Sequence, residues 1–451
     1  MESRRTASNQ LKVTSHSVSR PHLEGRCPVR RYALIPPLAC LALLAWSLVS
    51  SNPQGDSAIG PVGSGNQLQS LVVSEPLRYG NLSIFPVSSR VPKNQDRFVT
   101  LDEGLKAGTV EIFEVGADGN RVNSAQQEPA ESPERIVDTE GENLFQQTET
   151  ASMEVDAEVN RLMVVNRSDK PLYLMPGEVI IGGSQDRTIA QETIIASGDK
   201  PVSLDVFCVE QGRWSDRSVT ANTALFASVY SSSGESVDEE ALNKLSEEAN
   251  RGKFVASAGS LSKASRLAVQ DSKDQSVVWE NVADAWMMSS VGGATETFAI
   301  AGRVSTGSFT ANYVDQGVLK QLEPYIDKLR QPISKRRRIV GVIVAINGKV
   351  ESIDVFESTP LFRKLWPKLL KSYALDAAAV ADDAEAKRLC PVADAKSFLK
   401  ESLQANVEER TKTTGGLVVT KRTSDNTVSF SFGGGSGGFG GSGVHASAFA
   451  K

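Results

Sequence analysis

The chain has 451 residues, 40% of them hydrophobic and 23% charged, with a formal net charge of −5. That length and apolar content suffice for one large core or two modest ones and exclude a chain disordered throughout. A small negative charge spread over so long a chain provides no concentrated basic surface, so nucleic acid is not an expected partner.

Residues 1–31 are polar and basic, with Arg4, Arg5, Lys12, Arg20, Arg26, Arg30 and Arg31 against Glu2 and Glu24, and an apolar stretch from Tyr32 to Val49 follows. Segment 32–51 therefore reads as a transmembrane anchor or signal segment, at the short end of the ~17–25 residues a spanning helix needs. The basic flank stays cytoplasmic and the rest lies outside, giving a single-pass membrane protein with an extracytoplasmic folded domain. Cleavage near Val49-Ser50-Ser51 would instead export it, and a start codon placed too early would leave it in the cytosol. Segment 52–75, rich in Gly, Ser, Pro and Asn, reads as a flexible spacer.

The β-rich half of the globular domain is expected over 76–220. Tyr79–Pro86 reads as a strand, Leu101–Lys106 as a short helix ended by Gly108, and Val110–Val115 as a strand. Acidic, polar 116–150 reads as a long surface excursion. Strands then crowd together at Leu162–Val165, Leu172–Met175, Val179–Ile181, Thr188–Ile195 and Val202–Val209, a spacing that implies an antiparallel sandwich or barrel. Segment 221–312 is small and polar with helices at Val237–Ala249 and Val277–Met288. The α/β half, 313–432, opens with a helix over Val314–Leu329 that Pro324 should kink. A hairpin, 339–356, follows on the Asn347-Gly348 turn, then a helix over 360–375 carrying Leu361, Leu365, Trp366, Leu369 and Tyr373 above Lys364, Lys368 and Lys371. A helix around Ala393–Leu403 and a strand pair near Leu417–Phe432 close the fold, and 433–451, with eight glycines between Gly433 and Gly443, reads as a tail without order. The expected class is α+β, with an antiparallel β-rich sandwich or barrel-like first half, a helical segment and a C-terminal hairpin-plus-helix unit.

The three histidines, His16, His22 and His445, all fall in segments read as tails. A folded domain without histidine excludes a Ser-His-Asp triad, a Cys-His dyad and a histidine-ligated metal centre. Neither a metal nor a cofactor is expected. Cys27 and Cys40 lie before or within the apolar segment, leaving Cys208 and Cys390. An exported domain permits a bridge between them, whereas the run Val206-Phe207-Cys208-Val209 reads as housing a buried free thiol.

The densest polar sequence sits at strand ends: Glu178, Gln185, Asp186 and Arg187 in one stretch, Glu210, Arg213 and Trp214 in another. As structure, these charges neutralise one another at a sheet rim. As a site, they form a shared pocket with carboxylates, guanidinium groups and a Trp face for an anionic or ring-bearing ligand. Gly182-Gly183 lacks the lysine and helix of a phosphate loop and reads as a β-bulge. Ser334-Lys335-Arg336-Arg337-Arg338 reads as a solvated approach to the next strand, or as an anion site.

At these residues the sequence resembles an uncharacterised family named for association with ADP-ribosylglycohydrolases and rhodanese-phosphatase-superfamily proteins. The resemblance covers residues 76–380 and rests on Gly80…Phe85-Pro86, Leu101-Asp-Glu-Gly-Leu105, Pro176-Gly-Glu178…Gly183-Ser-Gln-Asp-Arg187, Cys208-Val-Glu-Gln-Gly-Arg-Trp214, Asp274-Gln275…Trp279 and Gly341…Asn347-Gly348…Leu365-Trp366-Pro-Lys-Leu369. It implies work alongside nucleotide-sugar or phosphate metabolism and no particular mechanism.

Three functions fit. One is a membrane-tethered extracytoplasmic ligand- or protein-binding module without metal, its partners the membrane through 32–51 and an anionic small molecule or a protein. Another is a metal-independent hydrolase or transferase on a phosphate- or nucleotide-sugar-type substrate, with Glu178 or Glu210 as base and Arg187 or Arg213 stabilising the anion. The third is a structural envelope component.

Overall fold

A strand that is aliphatic at every position but one, Gly341, needs cover on both faces, and Ile339–Ile346 has it, with every residue buried. The computed structural model describes residues 70–91, 93–115, 160–210, 219–232, 236–291, 308–380, 389–434 and 443–451, all within the unit Pro61–Lys451. In chain order the strands are β1 (Leu71–Val73), β2 (Leu77–Tyr79), β3 (Leu82–Ser89), β4 (Val99–Thr100), β5 (Val110–Phe113) and β6 (Arg161–Asn166). Next come β7 (Leu172–Leu174), β8 (Glu178–Gly182), β9 (Arg187–Ile189), β10 (Thr193–Ile195), β11 (Gly198–Cys208) and β12 (Lys253–Ser260). The last are β13 (Ile339–Ile346), β14 (Lys349–Phe356), β15 (Asn406–Lys412), β16 (Val418–Thr423), β17 (Thr427–Gly433) and β18 (Gly443–Ala450).

They build a closed barrel in the order β11-β6-β5-β12-β8-β9, a nine-stranded sheet in the order β1-β3-β13-β14-β18-β17-β16-β15 with β2 paired to β3, and a small sheet β10-β7-β4. The fold is α+β with a barrel-like first half. Alternate residues Val110 and Ile112, Leu162 and Val164, and Leu204 and Val206 share one core with Ile180, Ile189 and Phe254, so side chains fill the barrel interior, as expected for so few strands. On one face of the large sheet Val342 and Val344 pack against Leu361, Leu365, Trp366 and Leu369 of the helix Thr359–Ala379. On the other, Val340, Ile343 and Ala345 meet Leu399 and Leu403 of the helix Val392–Gln404. Double cover is why β13 reads as an unbroken apolar run. The turn after it carries Asn347 and Gly348 at φ 48° and 75°, the doubly positive geometry of a two-residue hairpin.

Several expectations are corrected. Tyr79–Pro86 is the turn and return strand of a hairpin, β2–β3, because Gly80 takes φ 54°. Thr188–Ile195 is two strands in different sheets, β9 in the barrel and β10 beside β7. The helix expected over Val314–Leu329 runs over Gln316–Ser334, with Pro324 and Pro332 inside it. Segment 221–312 contributes more core than its composition suggests: β12 closes the barrel, and Phe226, Val269, Val278 and Val282 are buried.

The largest correction concerns the C-terminus. Residues 443–450 are not a tail: β18 hydrogen-bonds to β14 on one side and β17 on the other, and His445 in it is 3% exposed. The folded domain therefore contains an imidazole, contrary to the expectation that it has none, and histidine chemistry is not excluded from it. Cys208 and Cys390 are both free and buried. Among the described residues no helix is long and apolar enough to cross a membrane; segment 32–51 lies outside them, as do the excursion 116–150, Arg213 and Trp214.

Candidate functional site

Barrel and large sheet meet through ionisable side chains that burial would make costly unless paired. Asp354 on β14 is fully buried and accepts from Arg266 Nη1 at 3.0 Å and Nη2 at 2.5 Å, a two-pronged ion pair, and from Tyr373 Oη at 2.5 Å. Its Oδ1 also lies 3.1 Å from His445 Nε2. The other ring nitrogen, Nδ1, bonds Glu192 Oε1, which accepts from Tyr173 Oη at 3.3 Å. Phe356 stacks on the imidazole at 4.3 Å. Each member comes from a different element: Arg266 from the helix Lys263–Asp271, Tyr373 from Thr359–Ala379, Glu192 from the β9–β10 connection, Tyr173 from β7.

Burial resists protonation of His445, but Glu192 and Asp354 outweigh it and raise its pKa to about 9. The ring is then an imidazolium that donates to both carboxylates. Asp354 is also pulled by burial toward protonation, and Arg266 and His445 together hold it well below the ordinary carboxylate range. With Arg266 and His445 positive and Asp354 and Glu192 negative, the network is neutral as a whole.

Glu192 Oε2 has no hydrogen-bond partner although the residue is 5% exposed. A buried carboxylate oxygen left unsatisfied calls for an explanation. Glu192 forms part of the wall of a 230 Å3 cavity. Phe207, Val269, Val419, Phe430 and Phe432 make that cavity largely apolar; of the charges in its lining, Lys273 pairs with Glu409 at 2.8 Å and Lys421 with Asp271 at 2.5 Å, while Asp205 accepts from Gln191 Nε2 at 2.8 Å. The arrangement suits an apolar body with one polar group.

The residues singled out from sequence separate into two clusters. Gln185, Asp186, Arg187 and Glu210 do come together: Gln185 Nε2 donates to the Glu210 carbonyl at 3.0 Å, and the Asp186 amide to Glu210 Oε2 at 3.2 Å. Asp186 Oδ2 accepts from Ser308 at 3.2 Å and Thr310 at 2.8 Å, and Arg187 reaches Glu114 at 3.6 Å. All four are buried, so they are no solvated rim. None of them lines the 230 Å3 cavity or a second one of 210 Å3; they pin the turn after β8 to the end of β11. Gly183 in that turn, at φ 53°, approaches Glu114 so closely that a Cβ would lie 2.7 Å from Oε1. The bulge falls across the ladder, where the β12 register shifts between Phe254 and Ala256 opposite Gly182 and Ile181.

Glu178 belongs elsewhere, which removes it from the shared pocket. Its Oε1 pairs with Lys368 Nζ and its Oε2 accepts from the Met175 amide at 2.8 Å. Burial raises its pKa against the pull of Lys368. Asp354, His445, Glu192 and Arg266 are far apart in sequence, and no local pattern groups them. One signal was present: Asp354 shares its strand face with Phe356, so a carboxylate stands on an apolar face and needs a cation.

A family model described as the ARG and Rhodanese-Phosphatase-superfamily-associated Protein domain matches residues 70–449. The chain belongs to that family. The associated-protein domain so defined runs past the Gly-rich segment to include β18, and thus His445. Comparison with curated proteins and with solved structures gives no match. Among the described residues no group of three or more His, Cys, Asp or Glu side chains is placed to hold a metal ion.

Proposed function

We propose that this chain is a membrane-tethered, extracytoplasmic ligand-binding module whose 230 Å3 cavity takes a small, uncharged, mainly apolar molecule bearing one hydrogen-bond donor. The observation that carries this reading is that Glu192, a residue of the cavity wall, has a buried carboxylate oxygen, Oε2, without a hydrogen-bond partner. A hydroxyl or N–H placed there satisfies the carboxylate and adds no charge to a network already balanced by Arg266, His445 and Asp354. Support for the tether comes from the basic segment 1–31 and the apolar run Tyr32–Val49 after it; the charge asymmetry sets the orientation. A hydrolase using Glu178 as base has less support, since both its oxygens are engaged.

Thermal-shift screening of the full chain with single-donor aromatic and aliphatic compounds tests the reading. Binders should raise Tm in proportion to ln(1 + [L]/Kd). Glu192→Gln, which keeps an oxygen for His445, should weaken binding about tenfold or more. Thr411→Trp, at the partly exposed cavity mouth, should abolish it. Binders that these two substitutions leave unaffected would refute the assignment.

A further inference from the structure

The basic run Lys335-Arg336-Arg337-Arg338 joins the helix Gln316–Ser334 to β13. Lys335, Arg337 and Arg338 are exposed and Arg336 is half-buried. Two further arginines are fastened to this run. Arg363, exposed on the helix Thr359–Ala379, donates from Nε to the Ser334 carbonyl at 2.8 Å and from Nη2 to the Arg336 carbonyl at 3.2 Å. Arg338 Nη1 donates to the carbonyl of exposed Arg90 at 3.0 Å, and the Ser89 amide to the Arg338 carbonyl at 2.9 Å. Carbonyl oxygens satisfy guanidinium donors but leave the positive charge in place.

Among the described residues none of these six cations forms an ion pair. Glu357, which lines a small cavity with Ser70 and Ser89, is held by Arg97 at 3.0 Å instead. A net charge of −5 over the whole chain conceals this local concentration. Arg338 also takes φ 54°, a left-handed backbone that an L side chain occupies at a cost. Glycine would be relaxed there, and the chain carries a third successive arginine.

Two observations indicate which anion the patch meets. Val91, next in the chain after Arg90, is 58% exposed. An exposed aliphatic side chain beside cations suits the headgroup layer of a bilayer, where the charges stay at the phosphates and the apolar group sinks between them. The second is where the chain enters the domain: the Arg90 amide donates to the Ser70 carbonyl at 2.7 Å. Residues 52–69, which link Ser70 to the apolar segment 32–51, reach at most about 65 Å when fully extended.

We infer that this face lies on anionic phospholipid headgroups of the bilayer that the apolar segment enters, with Val91 at the acyl boundary. The inference rests on the tether in the proposed function and is independent of the Glu192 cavity.

Acetylation footprinting of the full chain in vesicles tests it. Lys335 is the reporter, and Lys349, exposed at the turn end of the β13–β14 hairpin, is the reference; the length of β13 puts about 25 Å between them. In phosphatidylcholine vesicles with about 30% phosphatidylglycerol at low salt, Lys335 should react at least about threefold more slowly than Lys349. The difference should vanish in phosphatidylcholine alone and in about 0.5 M salt, where charges are screened beyond about 4 Å. Arg90→Glu combined with Arg337→Glu, both at exposed positions, should abolish it. Circular dichroism verifies that this variant folds, and the lipid and salt comparisons stand on the wild-type chain in any case. Equal rates for the two lysines in anionic vesicles, or protection that persists without anionic lipid, overturn the inference. Protection by a DNA duplex and not by anionic vesicles would assign the patch to nucleic acid and overturn it as well. Resistance to alkaline carbonate extraction reports the apolar anchor by itself, so a failed tether and a failed docking face are told apart.

Discussion

His445 ties its charge state to the stability of the whole fold. Its folded pKa, about 9, lies above the ordinary value of 6.5, so the protonated ring favours the native state. That contribution is fully present below about pH 6.5 and is lost as pH rises through about 9, a change on the order of 3 kcal/mol. Asp354 has the opposite sense: its depressed pKa makes its contribution vanish only in strong acid. Two other buried groups titrate nearby. Asp376, raised by burial to about 7, costs stability as pH climbs toward that value, and Lys371, lowered to about 8, restores stability as pH rises from there toward its ordinary range. Both are common to wild type and to His445→Gln, so subtraction isolates the imidazole. Urea unfolding at several pH values should show the gap between the two proteins narrowing by about 3 kcal/mol between about pH 6 and pH 10. A gap that does not change with pH would mean the ring is neutral in the folded protein.

At the level of elements, β18 is an interior strand of the large sheet, joined to β14 and to β17. A chain stopped after Gly434 loses the ladder on both sides, leaves Asp354 and Glu192 without His445, and exposes Phe356 where the ring had stacked. Such a truncation should not fold cooperatively, and a flat near-ultraviolet dichroism spectrum with no sigmoidal melt is the expected result; a native-like melt would show that β18 is dispensable. Why this strand was not legible is a matter of side-chain size. Gly443-Val-His-Ala-Ser-Ala-Phe-Ala450 alternates, yet four of its residues are Ala or Gly, and a glycine run precedes it. β12, Lys-Phe-Val-Ala-Ser-Ala-Gly-Ser, was hidden in the same way. Its small residues are demanded by close packing: at Gly259 a Cβ would lie 2.8 Å from the Tyr313 ring. By contrast β13, the Asn347-Gly348 turn and the helix that follows were readable, because large aliphatic side chains and a turn of fixed dihedral signature advertise themselves locally. The site was less legible than the fold. Asp354 and His445 lie 91 positions apart, and Glu192 and His445 253, and only the sheet order brings them together.

For the molecule as a whole, the distribution of buried charge decides how it unfolds. Among the described residues, three ionic contacts with both side chains buried cross between the barrel side and the large-sheet side. Glu178 of β8 meets Lys368 of the sheet-covering helix, Glu192 beyond β9 meets His445 of β18, and Arg266 of the helix Lys263–Asp271 meets Asp354 of β14. A partly opened state with one layer intact would keep half of each pair within a low-dielectric remnant without its partner, and breaking a buried pair in that way costs about 3–5 kcal/mol. The apolar core follows the same geometry. The helix Thr359–Ala379 packs Trp366 and Leu369 on the sheet, while Ala374 and Leu375 join the cluster that contains Val255, Ala256 and Ala258 of β12. Barrel and sheet are therefore expected to unfold in one transition. Native-state hydrogen exchange should give amides of β6, inside the barrel, and of β13, inside the sheet, the same limiting free energy of opening. Trp366→Ala should lower both together, by about 3–5 kcal/mol for a fully buried indole. If the β6 amides kept their protection while those of β13 lost theirs, barrel and sheet would be separate cooperative units, and the buried pairs would bind two domains rather than hold one together.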